Sequence, residues 1–211
     1  MKVLGIDEAA RGPLIGPMII AGVVIEEGEE AALGAVKDSK LLYHNKRKKL
    51  SKHILEHFQF KVIKVEPKEI DDALESKELN LNWLEAHKQA EIINELNPDV
   101  AIIDCPSPSI GKYTTYLKNL LKNKKIKLIV EHKADVNYPI CSAASIVAKV
   151  IREEEMDKIK KKYGDCGPGY VTHPKTIEFL KKNWAKHPEI FRKTWATYKN
   201  HVKSLNQKSL F

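Results

Sequence analysis

Three apolar runs in the sequence lead into acidic residues. Residues 3–6 end at Asp7 and Glu8, residues 100–103 end at Asp104, and residues 126–130 stop a few positions before Asp135. In open α/β sheets, sites form where neighbouring strands end, so four carboxylates from distant stretches can meet there. Crowded carboxylates repel and raise one another's pKa. A divalent cation removes that penalty, and Mg²⁺ favours oxygen ligands, commonly a few carboxylates plus a substrate phosphate. Two such ions about 4 Å apart can activate a water and stabilise the leaving oxygen in phosphodiester hydrolysis. The competing reading makes each acid a strand-end residue facing solvent, and spacing alone does not choose between the two.

The elements that would carry these acids can be read from periodicity. Residues 3–6 and the β-branched run 18–25 read as buried strands, separated by a turn containing Gly12, Pro13, Gly16 and Pro17. Helical spacing covers 44–58, where Leu50, Ile54, Leu55 and Phe58 share a face opposite lysines. Residues 60–65 alternate as a strand. A second helix spans 79–96 and ends at Asn97-Pro98. Strands at 100–103 and 126–130 flank a helix at 113–121. Residues 142–163 form a long helix, apolar early and basic late, followed by a glycine-rich loop at 164–169. Helices are expected at 174–184 and 191–202. Strands alternating with helices imply an α/β sheet with helices on its faces.

The chain has 211 residues with 43% hydrophobic and 30% charged, enough to bury a core. Its 36 Lys and Arg against 28 Asp and Glu give +8, a balance that favours polyanionic partners such as nucleic acid or anionic membrane surfaces. Cys105, Cys141 and Cys166 are odd in number and lack CxxC spacing, which argues against a disulfide framework or cysteine zinc site and for a reducing compartment. Asp7 and Glu8 interrupt the first apolar run too early for a signal core, and residues 18–25 are far short of a membrane span. The expectation is a soluble, cytoplasmic protein with no membrane partner, working as a monomer.

The residues around the acids resemble a known family. Gly5-Ile6-Asp7-Glu8-Ala9-Ala10-Arg11-Gly12-Pro13 with Gly16-Pro17 is similar to the GIDEAGRGP…GP signature of ribonuclease HII. Lys37-Asp38-Ser39-Lys40-Leu41 resembles its KDSK-L segment, and residues 100–106 resemble the strand carrying its third acid. His132-Lys133-Ala134-Asp135, Tyr138-Pro139 and residues 142–150 resemble its HKAD…YP…SAASI-AKV block. Gly169-Tyr170 with Pro174 and Thr176 resembles its GYP…DP-T loop, and Lys193-Thr194-Trp195 resembles the C-terminal part of archaeal members.

That resemblance implies an RNase H-like fold, a central mixed sheet flanked by helices. It implies a catalytic domain over 1–165, with a substrate loop and helical C-terminal region over 166–211. It implies two Mg²⁺ or Mn²⁺ ions held by Asp7, Glu8, Asp104 and Asp135, with Asp7 bridging them. The implied reaction cuts the RNA strand of RNA–DNA hybrids, and DNA duplexes 5′ of an embedded ribonucleotide, leaving 3′-hydroxyl and 5′-phosphate ends in ribonucleotide and primer removal. Ala10, Arg11 and Gly12 stand where relatives read the RNA–DNA junction through their backbone. One departure is Ala10, where the family has glycine; a positive φ there would strain the alanine by about 1 kcal/mol or more.

Tyr170 is expected to stack on a sugar at the junction, whose 2′-hydroxyl separates RNA from DNA. Lys40 and Lys149 are candidate phosphate ligands, and the lysines at 158–162 with Lys181 and Lys182 can track a duplex backbone. For each of these the plain alternative is a solvated or packing side chain. His132 and Cys105 are assigned structural roles. The tail Gln207-Lys208-Ser209-Leu210-Phe211 looks like the first part of a sliding-clamp binding box, set against a frayed terminus. Two other classes stay open: a non-catalytic nucleic-acid-binding protein, and an RNase H-like nuclease acting on DNA.

Overall fold

The computed structural model describes residues 1–36 and 44–208. Lys40, with the rest of the 37–41 segment, lies outside the described residues, as do residues 209–211 of the tail.

Five strands form one mixed sheet: β1 (Lys2–Ala9), β2 (Met18–Glu26), β3 (Gln59–Val65), β4 (Val100–Asp104) and β5 (Lys127–Glu131), in the order β3-β2-β1-β4-β5. β1 is antiparallel to β2 and parallel to β4, and β4 is parallel to β5. The helices are α1 (His44–His57), α2 (Pro67–Glu75), α3 (Leu81–Leu96), α4 (Ile110–Leu120), α5 (Ala134–Asn137), α6 (Pro139–Tyr163), α7 (Pro174–Asn183) and α8 (Ala196–Lys208). The sequence-based expectation of a sheet flanked by helices holds.

The chain forms two compact units, neither of them continuous in sequence. The first comprises Met1–Ala9, Ile19–Lys64 and Leu81–Ile151; the second comprises Ala10–Met18, Val65–Asn80 and the chain from Arg152 onward.

In the first unit, strand alternation sorts β1 into two faces. Leu4 and Ile6 lie on the face of Gly22, where a Cβ would meet Ile92 of α3 at 2.5 Å. Gly5 lies on the opposite face, where a Cβ would meet the backbone of Ile140 and Cys141 at 2.5–2.7 Å. Only glycine lets α6 come this close. The first half of α6 is buried from Ile140 to Ala148, and its alanines, Ala143, Ala144 and Ala148, join Ile19, Ala21, Val23, Ile102 and Ile54 in one core. Ser142 fastens the helix further by donating to the Val36 carbonyl at 2.6 Å.

The second unit has its own core, built from Leu14, Ile15, Met156, Cys166, Phe179, Leu180, Ile190, Phe191 and Tyr198. Trp184 and Trp195 pack against it.

Three elements differ from the sequence reading. α2 was not expected: it starts with Pro67 at its first turn, a preorganised position, and buries only a short stripe around Ile70 and Ala73. α5 is a single turn between β5 and α6. The last helix begins at Ala196 rather than Phe191, because Phe191 bridges to Ile15 as extended chain and the next residues form a turn held by Asp71. The Asp71 carboxylate accepts from the backbone N–H of Lys193 (2.8 Å) and Thr194 (2.9 Å) and from the Thr194 hydroxyl (2.6 Å).

Candidate active site

The parallel register of β1 with β4 pairs Val3 with Val100 and Ile6 with Ile103, an offset of 97. The next step of that register sets Asp7 beside Asp104, on the α6 face of the sheet. Asp7 is buried and Asp104 half-buried. Asp7 Oδ1 accepts from the Glu8 N–H at 2.7 Å, and Asp104 Oδ1 accepts from the Ala134 N–H at 3.1 Å. Ala134 opens α5, so the turn that carries Asp135 is tied to Asp104. Lys133 makes this turn possible by adopting φ +61° immediately before it.

The electrostatics follow from that placement. Burial pushes the Asp7 carboxyl up to about 7, and the negative charge of Asp104 adds to the rise. The Ser145 hydroxyl, the Glu8 N–H and the Lys149 ammonium pull it down without cancelling the effect. Asp104 is also raised, first by burial and then by Asp135, against the N–H groups of Ala134 and Lys133 and the charge of His132. Cys141 feels three of the acids: burial raises its thiol far above the ordinary value, and Asp7, Asp104 and Asp135 each add to it.

Glu8 is placed differently. Strand alternation directs it to the α3 face, and its charge is felt at Cys105 together with those of Asp104 and Glu85, after burial as the main cause of that thiol's raised pKa. His132 Nδ1 lies 3.2 Å from the Cys105 carbonyl oxygen, consistent with a structural role.

Three side chains of α6 act electrostatically with Asp7: Cys141, Ser145 and Lys149. Ser145, not singled out from the sequence, is fully buried, and its hydroxyl faces the Asp7 carboxyl, whose pKa it lowers. Cys141, Ser145 and Lys149 recur every four positions, so they form one stripe of α6. Polar groups on an otherwise apolar helix segment were the available signal.

Oxygen donors alone, with two carboxyls held above their ordinary pKa, suit a hard divalent cation. Among the described residues, no three His, Cys, Asp or Glu side chains converge tightly enough to enclose a metal ion. Mg²⁺ sites of one or two carboxylates completed by substrate phosphate do not need such a cage. The donor set therefore fits the ions that the sequence suggests.

In the second unit, Ala10, Arg11 and Gly12 form a turn, with Ala10 at φ +64°. The strain anticipated for this alanine is present. Tyr170 is 46% exposed, available for contact, and follows Gly169 at φ +86°. The Gly169 carbonyl accepts from Leu14 N–H (2.8 Å) and Ile15 N–H (3.3 Å), and Gly169 N–H donates to the Thr176 hydroxyl (3.2 Å). Of the lysines read as a backbone track, Lys158 pairs with Glu155 at 2.7 Å, Lys182 with Glu178 at 2.6 Å, and Lys162 sits over the Tyr163 ring. Exposed pairs of this kind contribute little to stability.

Arg192 was missed by the sequence reading. It is fully buried, and its guanidinium donates to the carbonyls of Ala10, Arg11 and Gly16. An arginine inside a basic tail gives no sequence signal that separates it from a solvated one.

Comparison with known proteins gives one consistent answer. The family model described as "Ribonuclease HII" matches residues 4–198. The ribonuclease HII of Pyrococcus furiosus is 42% identical over 216 residues, covering 99% of this chain and 94% of that protein. The crystal structure of the ribonuclease H2 from Pyrococcus horikoshii OT3 superposes with a TM-score of 0.87 at 39% identity, covering 98% of this chain and 99% of that one. The PCNA:RNase HII complex from Archaeoglobus fulgidus gives a TM-score of 0.83 at 37% identity, covering 92% and 95%. The mixed sheet and its helices are thus an RNase H-like fold, and the chain belongs to the ribonuclease HII family of metal-dependent endonucleases.

Proposed function

We propose that this protein cuts the RNA strand of RNA–DNA hybrids and incises DNA duplexes 5′ of embedded ribonucleotides, leaving 3′-hydroxyl and 5′-phosphate ends. The observation that carries the reading is Asp7 beside Asp104 on adjacent parallel strands, both with carboxyls raised first by burial, Asp7 further by the charge of Asp104 and Asp104 further by that of Asp135. Asp7 and Asp104, with Glu8 and Asp135, would hold two Mg²⁺ or Mn²⁺ ions. When bound, the ions supply Lewis-acid activation of water and stabilise the leaving oxygen.

The chain's own residues do the rest. The N–H groups of Glu8 and Ala134 fix one carboxylate oxygen each, so the acids are oriented before substrate arrives. Lys149 offsets negative charge at Asp7 and is the candidate cation for a phosphate beside it. In the second unit, Ala10, Arg11 and Gly12 contact the 2′-hydroxyl and phosphate at the junction, and Tyr170 stacks on the sugar. Lys40 is assigned to phosphate on sequence alone.

The A. fulgidus relative is known in complex with PCNA. We assign the tail from Gln207 a corresponding contact with a sliding clamp, which a chain ending at Lys203 should lose. Three buried free cysteines agree with a reducing, cytoplasmic setting for ribonucleotide removal, and among the described residues no helix is long and apolar enough to cross a membrane.

The test uses three labelled duplexes of one sequence: a continuous RNA–DNA hybrid, a DNA duplex with one ribonucleotide, and all DNA. Mg²⁺- or Mn²⁺-dependent cleavage of the first two and not the third is expected. Cleavage of all-DNA duplex would instead indicate a DNA nuclease of the same fold, and binding without cleavage under either ion would indicate a non-catalytic binder.

A further inference from the structure

The turn assigned above to reading the junction is held from below by one buried cation. Arg192 Nη1 donates to the Arg11 carbonyl at 2.7 Å, Nη2 to the Ala10 carbonyl at 2.7 Å and to Gly16 at 3.0 Å, and Nε to Gly16 at 3.1 Å. Trp195 Nε1 donates to the Gly12 carbonyl at 3.0 Å, and the Arg192 guanidinium stands over the Trp195 ring, 5.1 Å from its centre. The carbonyls of three consecutive residues therefore all point at the 192–195 segment. That segment is fixed in turn: Arg192 N–H donates to Leu14 O at 2.9 Å, and Asp71 accepts from the N–H groups of Lys193 and Thr194.

Two consequences follow from peptide geometry. In a trans peptide the N–H points opposite to the carbonyl of the preceding residue, and among the described residues no cis peptide is present. With the Ala10 and Arg11 carbonyls turned toward Arg192, the N–H groups of Arg11 and Gly12 point away from the clamp. Successive N–H groups presented beside a left-handed residue form a concavity suited to a phosphate or hydroxyl oxygen. Second, a non-glycine residue in the left-handed region persists only where its surroundings over-determine it. At Ala10 the surroundings include two charge-assisted hydrogen bonds on the adjoining carbonyls.

We infer that Arg192 is a positioning residue for ribonucleotide recognition: with Trp195 it sets the direction of the Ala10, Arg11 and Gly12 peptides, and so controls discrimination between a ribonucleotide and a deoxyribonucleotide. This rests on the junction-reading role proposed for the turn. Arg192 itself touches no substrate in this scheme.

The test measures binding without catalysis. In EDTA, fluorescence anisotropy gives the affinity of the full chain for a DNA duplex carrying one ribonucleotide and for the same duplex in all DNA. The ratio isolates the 2′-hydroxyl. Arg192→Lys keeps a charge, but its point-like ammonium cannot span three carbonyls. Trp195→Phe removes the hydrogen bond to Gly12 while keeping an aromatic ring beside Arg192, so it carries the test if the lysine variant does not fold.

A misaligned turn is expected to shrink the ratio by about tenfold or more in Arg192→Lys and by less in Trp195→Phe, while affinity for all-DNA duplex stays within about twofold. An unaltered chain showing no preference overturns the reading of the turn, and this inference with it. A clear preference that survives in every folded variant overturns the role of Arg192 alone, leaving the clamp as a contribution to stability.

Discussion

The end of β1 and the turn that follows it solve opposite problems with opposite means. At Asp7 the strain is electrostatic: a carboxyl is buried, beside another acid, and its pKa is pushed up to about 7. Lys149 and a backbone N–H offset only part of this. At Ala10, three residues on, the strain is conformational: an alanine sits at φ +64°. There the protein brings its own buried cation, Arg192, and satisfies the carbonyls internally. A centre left short of positive charge is ready to take up external cations, whereas a turn already saturated by an internal cation is ready to present a fixed surface. The first arrangement suits chemistry and the second suits recognition.

The sharpest way to break the comparison is Asp7→Asn. It should abolish metal-dependent cleavage and, in EDTA, make the protein more stable. A raised folded-state pKa means that stability is fully present below the unfolded value near 3.8 and declines as pH rises toward about 7, because the unfolded chain releases the proton first. At about 1.4 kcal/mol per pKa unit, removing the charge should recover on the order of 2–4 kcal/mol at pH 8. Unfolding by denaturant across pH 4–8, with and without Mg²⁺, reads this directly. Mg²⁺ should raise the midpoint of the unaltered chain above pH 7 and affect Asp7→Asn less. Equal stability of the two proteins at pH 8 in EDTA would remove the electrostatic half of the contrast.

Next in size is Gly5→Ala. The new methyl would lie 2.5–2.7 Å from the backbone of Ile140 and Cys141, which cannot swing aside. Overpacking of this kind costs about 3 kcal/mol and would push the Cys141, Ser145 and Lys149 stripe away from β1. Denaturant unfolding should show the loss, and cleavage should fall more than residual folding explains. A variant of unchanged stability would mean that α6 is not fixed by its approach to Gly5.

Asp71→Ala probes the other region. It removes the acceptor of three hydrogen bonds to Lys193 and Thr194, which should cost about 2 kcal/mol. Because the 192–195 segment carries the clamp, preference for a ribonucleotide-containing duplex should weaken with it, while the metal-dependent stabilisation at Asp7 persists. If preference is unchanged, the clamp does not depend on how its segment is anchored.

The two regions were also unequally legible in the sequence. Apolar runs ending in acids marked β1 and β4 because buried parallel strands are continuous in hydrophobicity, and β5, though a half-exposed edge strand, kept enough of the same pattern to be read; the pairing of Asp7 with Asp104 followed from where the first two runs stop. Glu8 is not placed by that register, because neighbours on a strand leave on opposite faces; only the resemblance of residues 5–13 to the family signature groups it with the other acids. α2 was invisible because nine residues with two buried aliphatic side chains leave little periodicity to find. The segment from Phe191 to Trp195 read as helix because its composition allows one; its extended and turned course is imposed by Ile15 and Asp71, partners more than 100 residues away. Arg192 was hidden for the same reason, since its burial depends on carbonyls that sequence spacing does not bring to it.

The smallest expected effect tests whether strain and position are separable at Ala10. Ala10→Gly relieves a left-handed alanine, gaining about 1–2 kcal/mol, and loses about 0.4–1 kcal/mol to the greater freedom of glycine in the unfolded chain. The net should be a stabilisation of about 0.5–1 kcal/mol, seen as a rise of a few degrees at most in the unfolding midpoint. If Arg192 sets the turn, glycine at position 10 should leave the ribonucleotide preference where it was, because the Ala10 and Arg11 carbonyls remain held. A variant with unchanged stability and altered preference would reverse the assignment: the methyl group at position 10, and not the clamp beneath it, would be setting the direction of the peptides.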